Sequence, residues 1–89
     1  MKAIVTVVGQ DRVGIIAAVC SKLAEFNVNV LDISQTVMQG YFTMMMAVEV
    51  SECTIPLARL CDAMEEAGKE MGLSIKVQRE DIFQAMHRI

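Results

Sequence analysis

The 89-residue sequence predicts an α+β fold in which two helices cover one face of a four-stranded antiparallel sheet. Two observations predict it. Four segments show the two-residue alternation of strands, and two segments show the 3.6-residue period of amphipathic helices. The order along the chain is βαββαβ, and this layering buries the apolar side of every strand and helix in one core. We therefore expect a ferredoxin-like sandwich, extended by a C-terminal helix.

The first half of the chain predicts a strand, a helix and a hairpin. Residues 2–8 are a β-branched stretch that is typical of a buried central strand. Residues 13–27 follow a helical period. Two alternating runs, 28–38 and 41–50, flank the turn Gln39–Gly40 and predict a β-hairpin. We expect the helix to bury Ile16, Val19, Cys20, Leu23 and Phe26, and the first hairpin strand to place Leu31, Ile33 and Val37 on one side.

The second half predicts another helix and the fourth strand. Pro56 suits the first turn of a helix, and the apolar residues after it repeat at three- and four-residue spacing as far as Gly72, a typical C-terminal cap. Residues 73–79 alternate again. We expect residues 1–79 to form the domain and residues 80–89 to form a helical extension. The extension has an apolar stripe at Ile82, Phe83, Met86 and Ile89.

The sheet face away from the helices is expected to mix polar and apolar side chains. Its predicted members are Ile4, Thr6, Val8, Val30, Asp32, Ser34, Tyr41, Thr43, Met45, Lys76 and Gln78. An exposed apolar surface of this kind, together with unpaired edge strands, favours self-association. We therefore expect a homodimer; the alternative is a monomer with a half-wetted sheet.

Composition excludes several classes of protein. A net charge of −3 with scattered basic residues lacks the basic stripe of nucleic-acid binders, so we expect no nucleic-acid partner. No run approaches the ~20 apolar residues that span a bilayer, and the N-terminal residues lack a signal-peptide pattern. We expect a cytoplasmic protein without a membrane partner. The cysteines Cys20, Cys53 and Cys61 are odd in number and form no CxxC pair, which favours free thiols.

No group of residues has the pattern of a catalytic or metal site. His87 is the only histidine, and triads and metal centres need several convergent groups. Glu65, Glu66 and Glu70 lie on the expected outer side of the second helix. In the run Met44–Met46, strand geometry sends the central residue to the opposite face from its neighbours. We therefore expect no enzyme, no metal and no cofactor.

The loop at residues 9–15 is the one segment with a ligand-binding pattern. Gly9 can adopt backbone angles closed to other residues, and Gly14 permits close approach of a ligand. The N–H groups in the first turn of the following helix suit a carboxylate, and Asp11 with Gln10 can hold an ammonium group. These are the two ends of an α-amino acid. The alternative is a tight strand-to-helix turn in which Asp11 satisfies local amides.

Two motifs resemble those of ACT domains, small regulatory ligand-binding modules with βαββαβ order. Residues 9–16, GQDRVGII, are similar to the family's G-x-D-R-P-G-[IL]-[IL] signature, with Val13 in place of proline. Residues 26–33, FNVNVLDI, are similar to G-x-N-I-x-[DE]-[IL], with Asn27 in place of glycine. The resemblance spans residues 2–79 and looks closest to stand-alone ACT proteins. It extends to the ACT segments of glycine-cleavage repressors and formyltetrahydrofolate deformylases.

The resemblance implies a ligand site at the interface of two domains. In ACT domains that bind amino acids, the ligand contacts the glycine-containing loop of one domain and the start of the second strand of the other. Asn29 holds that strand position, and its amide could meet both ends of the ligand. The implied loop residues are Gly9, Gln10, Asp11, Arg12, Val13, Gly14 and Ile15.

Two hypotheses about function follow. The first is a non-catalytic sensor that binds an amino acid or related metabolite at a homodimer interface. The second is a protein-interaction module that docks on an enzyme or regulator and has no ligand of its own. Ligand-dependent melting separates them, because a ligand that binds only the folded state stabilises it.

Overall fold

The computed structural model describes residues 1–81 and has the predicted βαββαβ order. The predicted helix over 80–89 lies, from residue 82 onward, outside the described residues. The sheet order is β2-β3-β1-β4, and all three neighbouring pairs are antiparallel. The elements are β1 (Lys2–Gln10), α1 (Ile15–Glu25), β2 (Asn29–Met38), β3 (Tyr41–Glu49), α2 (Leu57–Met71) and β4 (Ser74–Arg79).

The core lies between the two helices and one face of the sheet. Alternation along β3 decides which of its methionines enter the core: Met44 and Met46 are fully buried, whereas Met45 is exposed on the opposite face, as predicted. From the helices, Leu23 and Leu60 are fully buried against this layer. In the described part of the chain, no helix is long and apolar enough to cross a membrane.

Helix α1 begins two residues later than predicted, and the isoleucine buried in the core is Ile15 and not Ile16. Gly14 has a left-handed φ of 90° and caps the helix, so Ile15 is its first residue. The fully buried positions are Ile15, Val19 and Leu23. Ile16, expected in the core, is only partly buried, because the inner face of α1 is centred on Ile15, Val19 and Leu23 and Ile16 lies at its margin.

Strand β2 departs from the predicted alternation. A bulge between Val30 and Asp32 shifts the register, so Val30 pairs with Val48 and packs against the core instead of lying on the open face. Ile33 and Val37 lie on the helix side but are 39% and 52% exposed. They are exposed because β2 is an edge strand that α1 contacts only sparsely.

The open face of the sheet is a mixture, as predicted. Large apolar side chains, including Val8, Tyr41 and Met45, are exposed there among threonines and charged residues. The hairpin between β2 and β3 turns at Gln39 and Gly40, both with positive φ. Two consecutive left-handed residues match the right-handed twist of the flanking strands. Both results confirm the sequence-based prediction.

Candidate functional site

A groove lies between the β1–α1 loop and the edge of the sheet. Its volume is about 610 Å³. The N–H of Asp11 donates to the carbonyl of Gly40 at 2.9 Å, which holds the loop against the β2–β3 hairpin. The lining residues are Asp11, Arg12, Gly14, Ile15, Ile16, Ala17, Gln35, Val37 and Phe42.

The first turn of α1 brings hydrogen-bond donors to this groove. The helix's first bond runs from the Ala18 N–H to the Gly14 carbonyl at 2.9 Å, and no side chain caps the helix. The N–H groups of residues 15–17 therefore have no partner within residues 1–81. Unpaired N–H groups and the positive end of the helix dipole favour a carboxylate.

The carboxylate of Asp11 provides the opposite charge beside the same groove. The side chain is exposed, and its oxygens accept no hydrogen bond and form no ion pair with any residue the structure describes. In the alternative interpretation, the Asp11 side chain accepts hydrogen bonds from nearby backbone amides. The structure does not show this, because within the described residues only the backbone N–H of Asp11 forms a hydrogen bond in the turn. The groove thus has unpaired N–H donors and an unpaired carboxylate along one wall, within the residues that the structure describes.

Gly9 does not have the unusual backbone conformation that the sequence analysis expects. It belongs to β1, and its φ is not positive, so it does not supply unusual backbone angles. A Cβ at this position would lie 2.4 Å from Cδ2 of Leu73. Leu73 is a buried core residue at the end of the α2–β4 connection, immediately before β4. A side chain at residue 9 would therefore force the Leu73 side chain to move within the packing between β1 and this connection.

Arg12 is engaged within the protein. Its Nη2 donates to the carbonyl of Met71, the last residue of α2. A cation at a helix C-terminus interacts favourably with the dipole and satisfies an otherwise unpaired carbonyl. Next to it, Val13 is fully exposed at the tip of the loop. Gln10, the last residue of β1, is also exposed and pairs with Tyr41.

Asn29 lies at the opposite end of the sheet from the loop. Strands β1 and β2 both pair antiparallel with β3, so they run parallel to each other. Gln10 is level with Tyr41 at one end of β3, and Asn29 is level with Glu49 at the other. At ~3.3 Å per residue these levels are about 26 Å apart. One chain therefore does not bring Asn29 to the loop.

The structure adds wall residues that the sequence analysis missed. Gln35, Val37 and Phe42 come from the hairpin, and Val37 pairs directly with Phe42. The signal that could have found them is the hairpin register, since the turn at Gln39–Gly40 fixes that pairing.

A second polar cluster lies near Asn29. The α-ammonium group of Met1 contacts the carboxylate of Glu49 at 2.7 Å and the Ser51 hydroxyl at 2.6 Å. The Ser51 hydroxyl also donates to Glu49 at 2.7 Å. These contacts lower the pKa of Glu49 to about 2, and the contact with the ammonium group has the largest effect. No group of three metal-binding side chains occurs between residues 1 and 81.

The fold and the groove define a small ferredoxin-like α+β domain with a ligand-sized depression beside its first helix. Residues 2–78 match the ACT domain family, and the chain belongs to that family. A UPF0237 protein of Clostridium acetobutylicum is 52% identical over 89 residues, which is 100% of each chain. The structure of an ACT domain protein from Streptococcus pneumoniae has a TM-score of 0.83 and 45% identity, and 97% of each chain is covered.

Two larger proteins share the fold at lower identity. A formyltetrahydrofolate deformylase from Pseudomonas syringae pv. tomato has a TM-score of 0.78 at 22% identity, covering 88% of this chain and 27% of its own. A putative glycine cleavage system transcriptional repressor has a TM-score of 0.73 at 22% identity, covering 88% and 44%. The similarity to these two kinds of protein, predicted from the motifs, is confirmed at the level of the fold.

Proposed function

We propose that this protein is a non-catalytic regulatory sensor that binds a small amino-acid-like ligand at a homodimer interface. The observation that carries the proposal is the groove, where the unpaired N–H groups of residues 15–17 and the free Asp11 carboxylate lie along one wall. A zwitterionic ligand has a carboxylate that can accept from these N–H groups and an ammonium group that can pair with the Asp11 carboxylate. The groove's volume of about 610 Å³ is in the range of small-molecule sites.

The position of Asn29 supports a site completed by a second copy. The outer edge of β2 is unpaired within residues 1–81, and Leu31, Ile33 and Val37 on this strand are exposed. Two β2 strands can pair antiparallel about a two-fold axis near Ile33, the middle of the strand. This pairing brings Asn29 of a second copy to the level of the loop and extends the sheet across both chains.

Disulfide trapping tests this interface. In a Cys20→Ala, Cys53→Ala, Cys61→Ala background, Ile33→Cys should form a linked dimer on mild oxidation, because residues at a two-fold in antiparallel strands have Cα atoms within disulfide range. Val8→Cys is the matched control: it is a similarly exposed apolar residue on the open face. Linkage through residue 8 and none through residue 33 would contradict pairing through β2.

Ligand-dependent melting tests the binding function. We expect at least one of the twenty amino acids to raise the melting temperature of the wild-type protein. A composite site further predicts that Asp11→Ala and Asn29→Ala homodimers both lose this shift. Mixed dimers of the two variants should recover one site of two, because one of the two sites at their interface keeps both wild-type residues. Failure of the mixture to recover binding would contradict a site shared between chains.

A regulatory role in the cytoplasm agrees with two further observations. The three cysteines are free thiols, which suits a reducing compartment. A structural neighbour is named as a transcriptional repressor, a regulatory protein. No nucleic-acid or membrane partner is part of the proposal.

One observation favours the alternative, a protein-interaction module without its own ligand. Three large apolar side chains, Val13, Met38 and Tyr41, are strongly exposed at the loop end of the molecule. Exposed apolar residues in such proximity suit docking on a protein. Under this alternative, no metabolite shifts the melting temperature, and Asp11→Ala has no effect on the function of the protein.

A further inference from the structure

Away from its charged groups, the ligand groove is lined by apolar side chains. Ile16 comes from the first turn of α1, Val37 from the edge strand β2, and Phe42 from the start of β3. Phe42 is buried and pairs with Val37. Val37 is 52% exposed and Ile16 is partly buried, so these two side chains leave apolar surface that a ligand can cover.

The charged side chains of the groove have other partners than the side chain of a ligand. The carboxylate of Asp11 is the proposed partner of the ammonium group, and the guanidinium of Arg12 is bound to the carbonyl of Met71. Among the described residues, no other charged side chain lines the groove. A charged ligand side chain would therefore lose its water without gaining an opposite charge of its own. The groove thus disfavours acidic and basic side chains.

Gln35 is the one uncharged polar side chain among the described lining residues. It lies two residues before Val37 on β2, and it is exposed. An exposed amide is hydrogen-bonded to water, so exchanging those bonds for bonds to a ligand changes the free energy of binding little. By contrast, each methylene group that an apolar site buries raises the affinity roughly four-fold. Apolar contact, and not the Gln35 amide, therefore decides which side chain binds best.

We propose that the ligand is an α-amino acid with an uncharged, apolar side chain, which lies against Ile16, Val37 and Phe42. This inference rests on the proposed function. In the proposed dimer, Val37 is level with Asn29 of the second copy, because each is four residues from Ile33 on β2. The amide that meets the charged ends of the ligand then lies beside the apolar contact. The charged ends and the side chain of one amino acid are adjacent in the same way.

A series of amino acids tests the side-chain preference of the wild-type protein. Isothermal titration calorimetry compares L-alanine, L-2-aminobutyrate and L-norvaline, which differ by one methylene group each, and L-leucine with L-asparagine, a polar side chain of the same shape. We expect each added methylene group to lower the Kd about two- to four-fold. Leucine should bind roughly ten-fold more tightly than asparagine, and L-glutamate and L-lysine should bind more weakly than norvaline.

Two matched threonine variants locate the contact. Val37→Thr replaces a methyl group by a hydroxyl group at an exposed position, so we expect the fold to be kept. It should weaken norvaline binding about three-fold and change alanine binding less than about two-fold. Val8→Thr, at a similarly exposed valine on the open face of the sheet, should change neither. Gln35→Ala should leave the preference for leucine over asparagine unchanged.

The outcomes separate this inference from the function on which it rests. If no amino acid binds, the proposed function fails and the inference fails with it. If alanine, norvaline and asparagine bind equally well, the proposed function stands and only the apolar preference is overturned. The same holds if asparagine binds best and Gln35→Ala removes its advantage. An equal loss of norvaline binding in Val8→Thr and Val37→Thr would also overturn the inference, because the effect would not come from the groove.

Discussion

Replacing Asp11 with alanine separates binding from folding in the ligand groove. The carboxylate is exposed and unpaired within residues 1–81, and the backbone bond from Asp11 to Gly40 survives the change. We therefore expect the free energy of unfolding of the free protein to change by less than about 0.5 kcal/mol. Losing the partner of a bound ammonium group typically costs about 2–5 kcal/mol, which is at least ~30-fold in affinity.

Melting curves measure both quantities. A ligand at about a hundred times its Kd stabilises the wild-type protein by about 2.7 kcal/mol. For a domain of this size that is a rise of roughly 10–20 °C. At the same ligand concentration, a ~30-fold weaker variant gains only about 0.9 kcal/mol, a rise of roughly 4–7 °C. Asp62→Ala, an exposed carboxylate on α2, is the matched control and should keep the full rise.

Two results would refute this reasoning. In the first, Asp11→Ala keeps the full ligand-induced rise, so the carboxylate does not hold the ligand. In the second, Asp11→Ala lowers the melting temperature of the free protein by many degrees and no metabolite protects the wild type. The loop would then be a structural turn, and the interaction-module alternative would be preferred.

Three other residues give predictions of stability and charge. Leu23→Ala should lower the free energy of unfolding by about 2–4 kcal/mol in urea titrations, because Leu23 is fully buried between α1 and the sheet; no change would mean that the core is wrongly described. Gly9→Ala should cost about 1–3 kcal/mol by overpacking, and Leu73→Ala in the same chain should relieve part of that cost in a double-mutant cycle. Additive effects would argue against this contact. For Glu49, an NMR titration should find a pKa of about 2, below its ordinary value of 4.5, and acetylation of the α-amino group should raise it. The contact therefore stabilises the fold above about pH 4.5 and is lost as the pH falls towards 2; an unchanged pKa after acetylation would contradict the ion pair.

The fold could be predicted because each element has a periodic signal that burial reinforces. Alternation along β3 correctly separated Met45 from its two buried neighbours, and the turn at Gln39–Gly40 was correctly placed. The bulge at Val30 could not be predicted, because no residue type marks it and it depends on pairing with β3. The inner face of α1 was predicted slightly wrongly, because Ile15 and Ile16 are adjacent apolar residues and the packing of the helix on the sheet decides which of them is buried.

The site was predictable in its local parts and not in its long-range contacts. The loop sequence indicated both Asp11 and the open first turn of α1, and both line the groove. The contacts of Gly9 with Leu73 and of Arg12 with Met71 join residues about 60 positions apart. Such contacts follow from how α2 is placed on the sheet, which the pattern around the loop does not contain.

The bond between Arg12 and Met71 has an electrostatic consequence for the groove. It places the N-terminus of α1 and the C-terminus of α2 at the same end of the molecule. The two helix ends have partial charges of about +0.5 and −0.5, whose potentials would partly cancel in the space between them. The guanidinium of Arg12 sits on the negative end and neutralises it. Arg12 thus raises the positive potential at the N-terminus of α1 although its own hydrogen bond is to Met71, and the effect is strongest at low ionic strength.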